Sequence, residues 1–199
     1  ISLGLSLKLI ELGYEVGYIK PIGKIPVKKG KDVFDADALF IKDMLGLNEP
    51  LEVISPFVLS YEKQTLLFNG RIGDVKKHIL AAFRALRKKD FVIIGGAGDL
   101  FEGSLLGINA LSLVAGMKAN VLLVEPWRGE LSADSLFGAH KLLGKQFVGG
   151  VFNKVPVNAS GHVKETVRPF MEKRGVKIFG VFPKDHFLDS TSVRQLNEI

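Results

Sequence analysis

The chain has 199 residues, 47% of them hydrophobic, with a mean hydropathy of +0.22 and a formal net charge of +6. That length suits one α/β domain, and that apolar share excludes a disordered chain. The absence of cysteine excludes disulfides and thiolate metal sites and fits a cytoplasmic protein, and no apolar run reaches the roughly 20 residues of a membrane span.

The chain opens at Ile1 inside a patterned segment, so an upstream segment is expected. Ile1, Leu3, Leu5, Leu7 and Leu9 alternate as in a strand, whereas Ile1, Leu5, Leu9 and Leu12 share one helical face. Leu9-Ile10 breaks the alternation and Gly13 suits a helix C′ position, so a mostly buried helix is expected; a strand turning through Gly13 stays open. Glu15–Ile19 reads as a buried strand that empties at Lys20-Pro21, because proline has no donor for a ladder. A lysine there stands where open α/β sheets place their ligands, or is a solvated strand-end side chain.

Residues 22–34 read as a basic, glycine-containing loop, long enough to be functional or mobile. Asp35–Leu45 is a predicted helix stopped by Gly46; its opening pair, Asp35 and Asp37, suits a hard cation or simply caps the helix. Leu51–Leu59 is expected to hold a short extended segment around Pro56, and Ser60–Leu67 stays unassigned. Arg71–Lys89 is an amphipathic helix, with Ile72, Val75, Ile79, Phe83 and Leu86 three or four apart. Beyond it, strands are expected at Phe91–Ile94, Val121–Val124, Phe147–Phe152 and Val176–Val181, and helices at Gly107–Met117, Ala133–Leu143 and His162–Lys173. The tail from Ser190 to Ile199 reads as an edge where a further domain would begin. The alternation specifies one α/β domain over residues 1–199, with a mostly parallel sheet covered by helices on both faces.

Each strand end carries a candidate. Phe91–Ile94 empties into Gly95-Gly96-Ala97-Gly98-Asp99, where Gly96 and Gly98 let backbone approach a ligand or merely turn the chain. Val121–Val124 leads to Glu125-Pro126-Trp127-Arg128; Arg128 reaches an anion or lies at the surface. Gly150-Val151-Phe152 ends at Asn153-Lys154-Val155, where the asparagine amide presents donor and acceptor to a base edge or caps a turn. His78, His140, His162 and His186 share no metal-ligand spacing and read as structural, and no Ser-His-Asp order supports acyl transfer.

The +6 charge attracts polyanions, nucleotides included. Its carriers are dispersed, with Lys24, Lys28, Lys29 and Lys31 in one loop and Lys76, Lys77, Arg84, Arg87, Lys88 and Lys89 along one helix. No aromatic platform accompanies them, so neither nucleic acid nor membrane is an expected partner.

Together these strand ends resemble dethiobiotin synthetase and its relatives. In that family a P-loop and helix precede a strand ending in lysine-proline, as at Lys20-Pro21. Asp37-Ala38-Leu39 is similar to the family's aspartate-alanine-leucine, residues 91–98 to its strand plus glycine-alanine-glycine, Asn153-Lys154-Val155 to its adenine-reading segment and Gly180-Val181-Phe182-Pro183 to its glycine-x-x-proline. The order is kept over nearly the whole chain. The basic loop before Asp35 and residues 49–56 look most like the domain at the N-terminus of some phosphotransacetylases and DRTGG-domain proteins.

The resemblance implies a three-layer P-loop NTPase-type fold with about seven strands and a P-loop just upstream of Ile1. It implies ATP and Mg2+ as cofactors, with Lys20 catalytic, Asp37 on the metal, and Gly96, Gly98, Asn153, Lys154 and Pro183 around the nucleotide. The sequence departs at Gly95, where the family places a magnesium-binding glutamate; Asp99 and Glu102 are the carboxylates near enough in sequence to replace it. The expected role is a regulatory or ATP-hydrolysing nucleotide-binding domain. The alternatives are an ATP-dependent ligase with a small carboxylate substrate, and a scaffold that has lost the chemistry. A homodimer is a candidate assembly.

Overall fold

The computed structural model describes residues 1–96 and 98–185, so His186 and the tail from Ser190 to Ile199 lie outside the described residues. The chain divides into two compact units, Ile1–Lys118 and Ala119–Ile199.

The first unit is built on two parallel strands, β1 (Val16–Ile19) and β4 (Phe91–Ile94), paired from Val16↔Phe91 to Ile19↔Ile94. Their entry is tied by Asp90, whose carboxylate accepts the Glu15 N–H at 2.8 Å, and by the Tyr14 ring set edge-on to Phe91 at 4.9 Å. All four β1 residues are buried, and neighbours on the strand feed opposite cores. Tyr18 packs with Ala38, Ile41 and Ile54, while Ile19 packs with Ala82 and Leu86. Helices α2 (Ala36–Leu45) and α5 (Val75–Ala85) therefore cover the two faces of this pair. Strand alternation delivers this, since successive side chains point to opposite sides.

Between β1 and α2, the segment expected as an open loop is a hairpin, β2 (Pro26–Lys29) against β3 (Asp32–Asp35), with Gly30 at φ +67 in its two-residue turn. All of β2 is exposed, so no apolar alternation marked it; the turn glycine was the available signal. Helix α1 (Ser2–Glu11) is a helix, as the Leu9-Ile10 doublet argued, but it is not mostly buried. Ser6 is its one buried residue, and Leu5, Leu7 and Ile10 face outward while α1 leans on α2 and β1.

Ahead of the segment around Pro56, where Val58 bridges Gly23, the same stretch opens with a helical turn, α3 (Leu51–Ile54), and the unassigned stretch forms α4 (Tyr61–Phe68), started by the Ser60 hydroxyl accepting from Lys63 N–H. Helix α5 begins later than the apolar spacing suggested, because Asp74 caps it through Lys77 N–H at 2.9 Å. Helix α6 (Ala110–Met117) follows a 3-10 turn at Ser104–Leu106.

Among its described residues the second unit holds three parallel strands in the order β5 (Val121–Pro126), β6 (Phe147–Val155) and β7 (Ile178–Pro183). Helix α7 (Ser132–Leu143) lies on β5 and β6 at very close range: a Cβ on Gly150 would stand 2.6 Å from Leu136 Cδ2, so glycine is what admits the fully buried Leu136. The last helical stretch among the described residues runs through α8 (Ser160–His162), a π-helical turn at Val163–Val167 and α9 (Arg168–Glu172). Strands of this α/β chain are thus mostly parallel, the β2–β3 hairpin being the antiparallel exception. No helix among the described residues is long and apolar enough to cross a membrane.

Candidate functional site

Lys20 is the first residue past β1, and its N–H donates to Ile54 O at 2.7 Å. Pro21 ends the ladder, and Gly23 carries the chain alongside residues 57–59, donating to Phe57 O at 2.8 Å and accepting from Leu59 N–H at 2.9 Å. Gly23 also lies flat on Asp35, since a Cβ there would fall 2.5 Å from Asp35 Cβ. The strand end is thereby clamped between residues 54–59 on one side and the start of α2 on the other.

Lys20 is a buried lysine, 7% exposed, and its ammonium is paired twice: Asp35 Oδ1 at 2.9 Å and Asp37 Oδ2 at 2.5 Å. The two carboxylates differ sharply. Asp35 has no exposure and accepts four donors: Lys20 Nζ and Ala38 N–H on Oδ1, and the Lys24 and Ile25 N–H groups on Oδ2. Its own N–H goes to Ser55 Oγ at 3.0 Å. Asp37, one helical step further, keeps 57% of its side chain open to water.

Burial pulls the Lys20 pKa down, but hydrogen bonds to Asp37 and Asp35 outweigh it and hold the ammonium above its ordinary value. Burial likewise pushes Asp35 up, and the bonds from Lys20, Ile25 and Lys24 override it, holding the carboxyl below the ordinary range. Tyr18, buried beneath the same group, is pushed well above the usual phenol range, first by burial and then by Asp37 and Asp35. The cluster is a fixed lysinium with one buried counter-ion and one water-facing carboxylate.

The glycine loop adjoins it. Gly95 N–H donates to Ile19 O at 2.8 Å, so Lys20 and Gly95 leave adjacent parallel strands side by side. A Cβ on Gly95 would run into the Tyr18 hydroxyl, so the place where a side chain would start is already filled. The two carboxylates that could replace the family glutamate are engaged nearby. Asp99 Oδ1 caps its own turn through Phe101 and Glu102 N–H, and Glu102 Oε2 takes Gly98 N–H at 2.7 Å and Lys24 Nζ at 2.9 Å. Gly96 is exposed with open space around it. Among the described residues no group of three or more His, Asp or Glu side chains is arranged to hold a metal ion.

In the second unit, Asn153 and Lys154 close β6 and Pro183 closes β7, paired with Val155. Asn153 O accepts Trp127 N–H at 2.8 Å, and the Trp127 ring stands edge-on to Phe152 at 5.3 Å. Lys154 has φ +54, a left-handed backbone seldom adopted by a side-chain-bearing residue, at the end of its strand. Arg128 pairs with the largely buried Glu125 at 2.7 Å, with 73% of its own side chain exposed, and the Ser132 hydroxyl accepts Arg128 N–H. The three described histidines stand apart: His78 on α5, His140 beside Phe147 and His162 near Glu130.

The structure thus brings Lys20, Asp37 and the glycine loop together at one strand-end cluster, and Asn153, Lys154 and Pro183 at another. Sequence reasoning missed Tyr18 and Ser55; its reading of the spacing treated Asp35 and Asp37 as a pair, and only the resemblance singled out Asp37 for the metal. The period of α2 separates those two, since residues two apart on a helix point to different sides.

Among curated proteins the chain is similar to the ATP-dependent dethiobiotin synthetase BioD of Thermodesulfovibrio yellowstonii, 30% identical over 95 residues. That match covers 46% of this chain and spans 39% of the relative's length. The family model described as AAA domain matches residues 1–192. A match over almost the full length, with strand ends furnished in the same order, shows that the chain belongs to this AAA domain family of dethiobiotin-synthetase-like P-loop ATPase domains.

Proposed function

We propose that this domain binds ATP at the carboxyl ends of its parallel strands, as the regulatory or ATP-hydrolysing part of a larger protein of the phosphotransacetylase or DRTGG type, with a three-layer P-loop NTPase fold. The observation that carries the reading is the buried Lys20 ammonium, charged and oriented by Asp35, set beside a glycine loop at the neighbouring strand end. A fixed positive charge in such a place stabilises negative charge on a phosphoryl group without needing to reorganise. The phosphate loop itself is expected upstream of Ile1.

Magnesium, when bound, supplies charge neutralisation on the phosphates. Asp37 is the residue that would hold it, being the water-facing carboxylate of the cluster. One carboxylate suffices for this ion, which takes its remaining oxygens from phosphates and water. Asn153 would read the adenine, with Lys154 and Pro183 beside it. In the second reading, favoured by the likeness to an ATP-dependent dethiobiotin synthetase, the domain is a ligase and Lys20 meets a small carboxylate substrate.

Calorimetric titration of the full protein with ATP, with magnesium and with EDTA, tests the proposal. Wild type should bind with a magnesium dependence that Asp37→Ala loses, and Asn153→Ala should weaken binding by roughly 1–3 kcal/mol. No binding in either condition refutes the reading in favour of a scaffold. ADP formation that requires an added small acid selects the ligase.

A further inference from the structure

A hollow opens in the first unit, away from Lys20, Asp35 and Asp37, none of which lines it. It holds about 280 Å³ between Phe57, α4 and the start of α5. Its walls are apolar, formed by Pro56, Phe57, Leu66, Ile72 and Val75, and Lys63, Arg71 and His78 stand around them with Asp74 as the one acid.

The polar groups are unequally committed. Asp74 is spent on its own helix, capping α5 at Lys77 N–H. Lys63 has no carboxylate partner among the described residues, and its ammonium lies 4.6 Å above the centre of the Phe57 ring. Burial pulls its pKa down with nothing to offset it. An ammonium held over an aromatic face and short of water gains from an arriving anion. At the first turn of α5 the Asp74 carboxylate already takes Lys77 N–H, and its negative charge opposes a phosphate there. The volume lies below the roughly 300–1,000 Å³ of sites for drug-sized ligands.

From this combination we propose that the hollow binds a small amphiphilic carboxylate: an aliphatic or aromatic body against Phe57, Leu66 and Ile72, and a single carboxylate on Lys63 and Arg71. This goes beyond the nucleotide reading and does not depend on it.

Sodium hexanoate is the probe, titrated calorimetrically into the full protein, with hexylamine as the chain-matched control of opposite charge. Hexanoate should bind saturably in the millimolar range, about tenfold tighter than hexylamine, and Lys63→Met should cost about tenfold in its affinity. ATP should not compete, and methyl resonances of Leu66, Ile72 and Val75 should move on titration. Arg71→Gln provides an independent variant should Lys63→Met fail to fold. Equal binding of hexylamine, indifference of hexanoate to both substitutions, competition by ATP, or no saturation would each overturn the proposal. Nucleotide binding is measured separately, so loss of one reading leaves the other standing.

Discussion

Asp35 and Asp37 share one lysine and differ in depth, and the difference sets very different costs for removing them. Asp35→Ala strips four donors of their acceptor at a position with no solvent exposure. Loss of the α2 cap alone is worth about 1 kcal/mol. Removing one partner of a buried pair costs about 3–5 kcal/mol, eased here because Lys20 keeps Asp37. The expected total is about 3–5 kcal/mol, a large part of the roughly 5–15 kcal/mol that holds a domain together. Asp37→Ala removes a carboxylate whose own side chain is 57% exposed, a contribution of about 0–1 kcal/mol, while the buried Lys20 keeps Asp35. Urea unfolding of the full protein at neutral pH, followed by circular dichroism, measures both. Similar losses for the two variants, or a larger one for Asp37→Ala, would refute the division into a structural and a functional aspartate.

The same cluster predicts an acid limb. Asp35 has a depressed folded pKa, so its contribution is present above the unfolded value of about 3.9 and is lost as pH falls through the folded one. Lys20 is raised, so its contribution is present below about 10.4 and is lost only as pH climbs through its higher folded pKa. Unfolding free energy should therefore fall below about pH 4, with a shallower fall in Asp35→Asn than in wild type. At Gly95, an added methyl meets the buried Tyr18 hydroxyl. Gly95→Ala should cost about 1–3 kcal/mol, most of it restored in Gly95→Ala with Tyr18→Phe; an unchanged melting temperature in the single variant would show that Tyr18 yields freely.

Segments whose side chains meet core on more than one side were legible in the sequence. Phe91–Ile94 emerged with its predicted bounds, because four apolar residues between Asp90 and a glycine run have few other uses. The parallel alternation followed for the same reason, as did the glycine stop at Gly46, φ +60. Lys20 was legible as a strand-end residue because Pro21 must leave the ladder. The β2–β3 hairpin was not, since every residue of β2 meets water and leaves no period to read.

What the sequence by itself determined is the core strands, the main amphipathic helices and the order of chemical groups at their ends, for these depend on near neighbours: apolar periods, caps, prolines and glycines. Depth was decided by the tertiary structure. Asp35 and Asp37 look alike in the chain and meet the same Lys20 ammonium, but the turn of α2 against β1 and Ser55 sends the first into the core and leaves the second open to water. Gly95 read as a lost ligand until Tyr18 from the neighbouring strand was found in its place. The hollow around Phe57, Lys63 and His78 is lined by residues spread from Pro56 to His78, brought together only by the fold. Dielectric surroundings and free volume come from groups distant in sequence, so no local pattern encodes them.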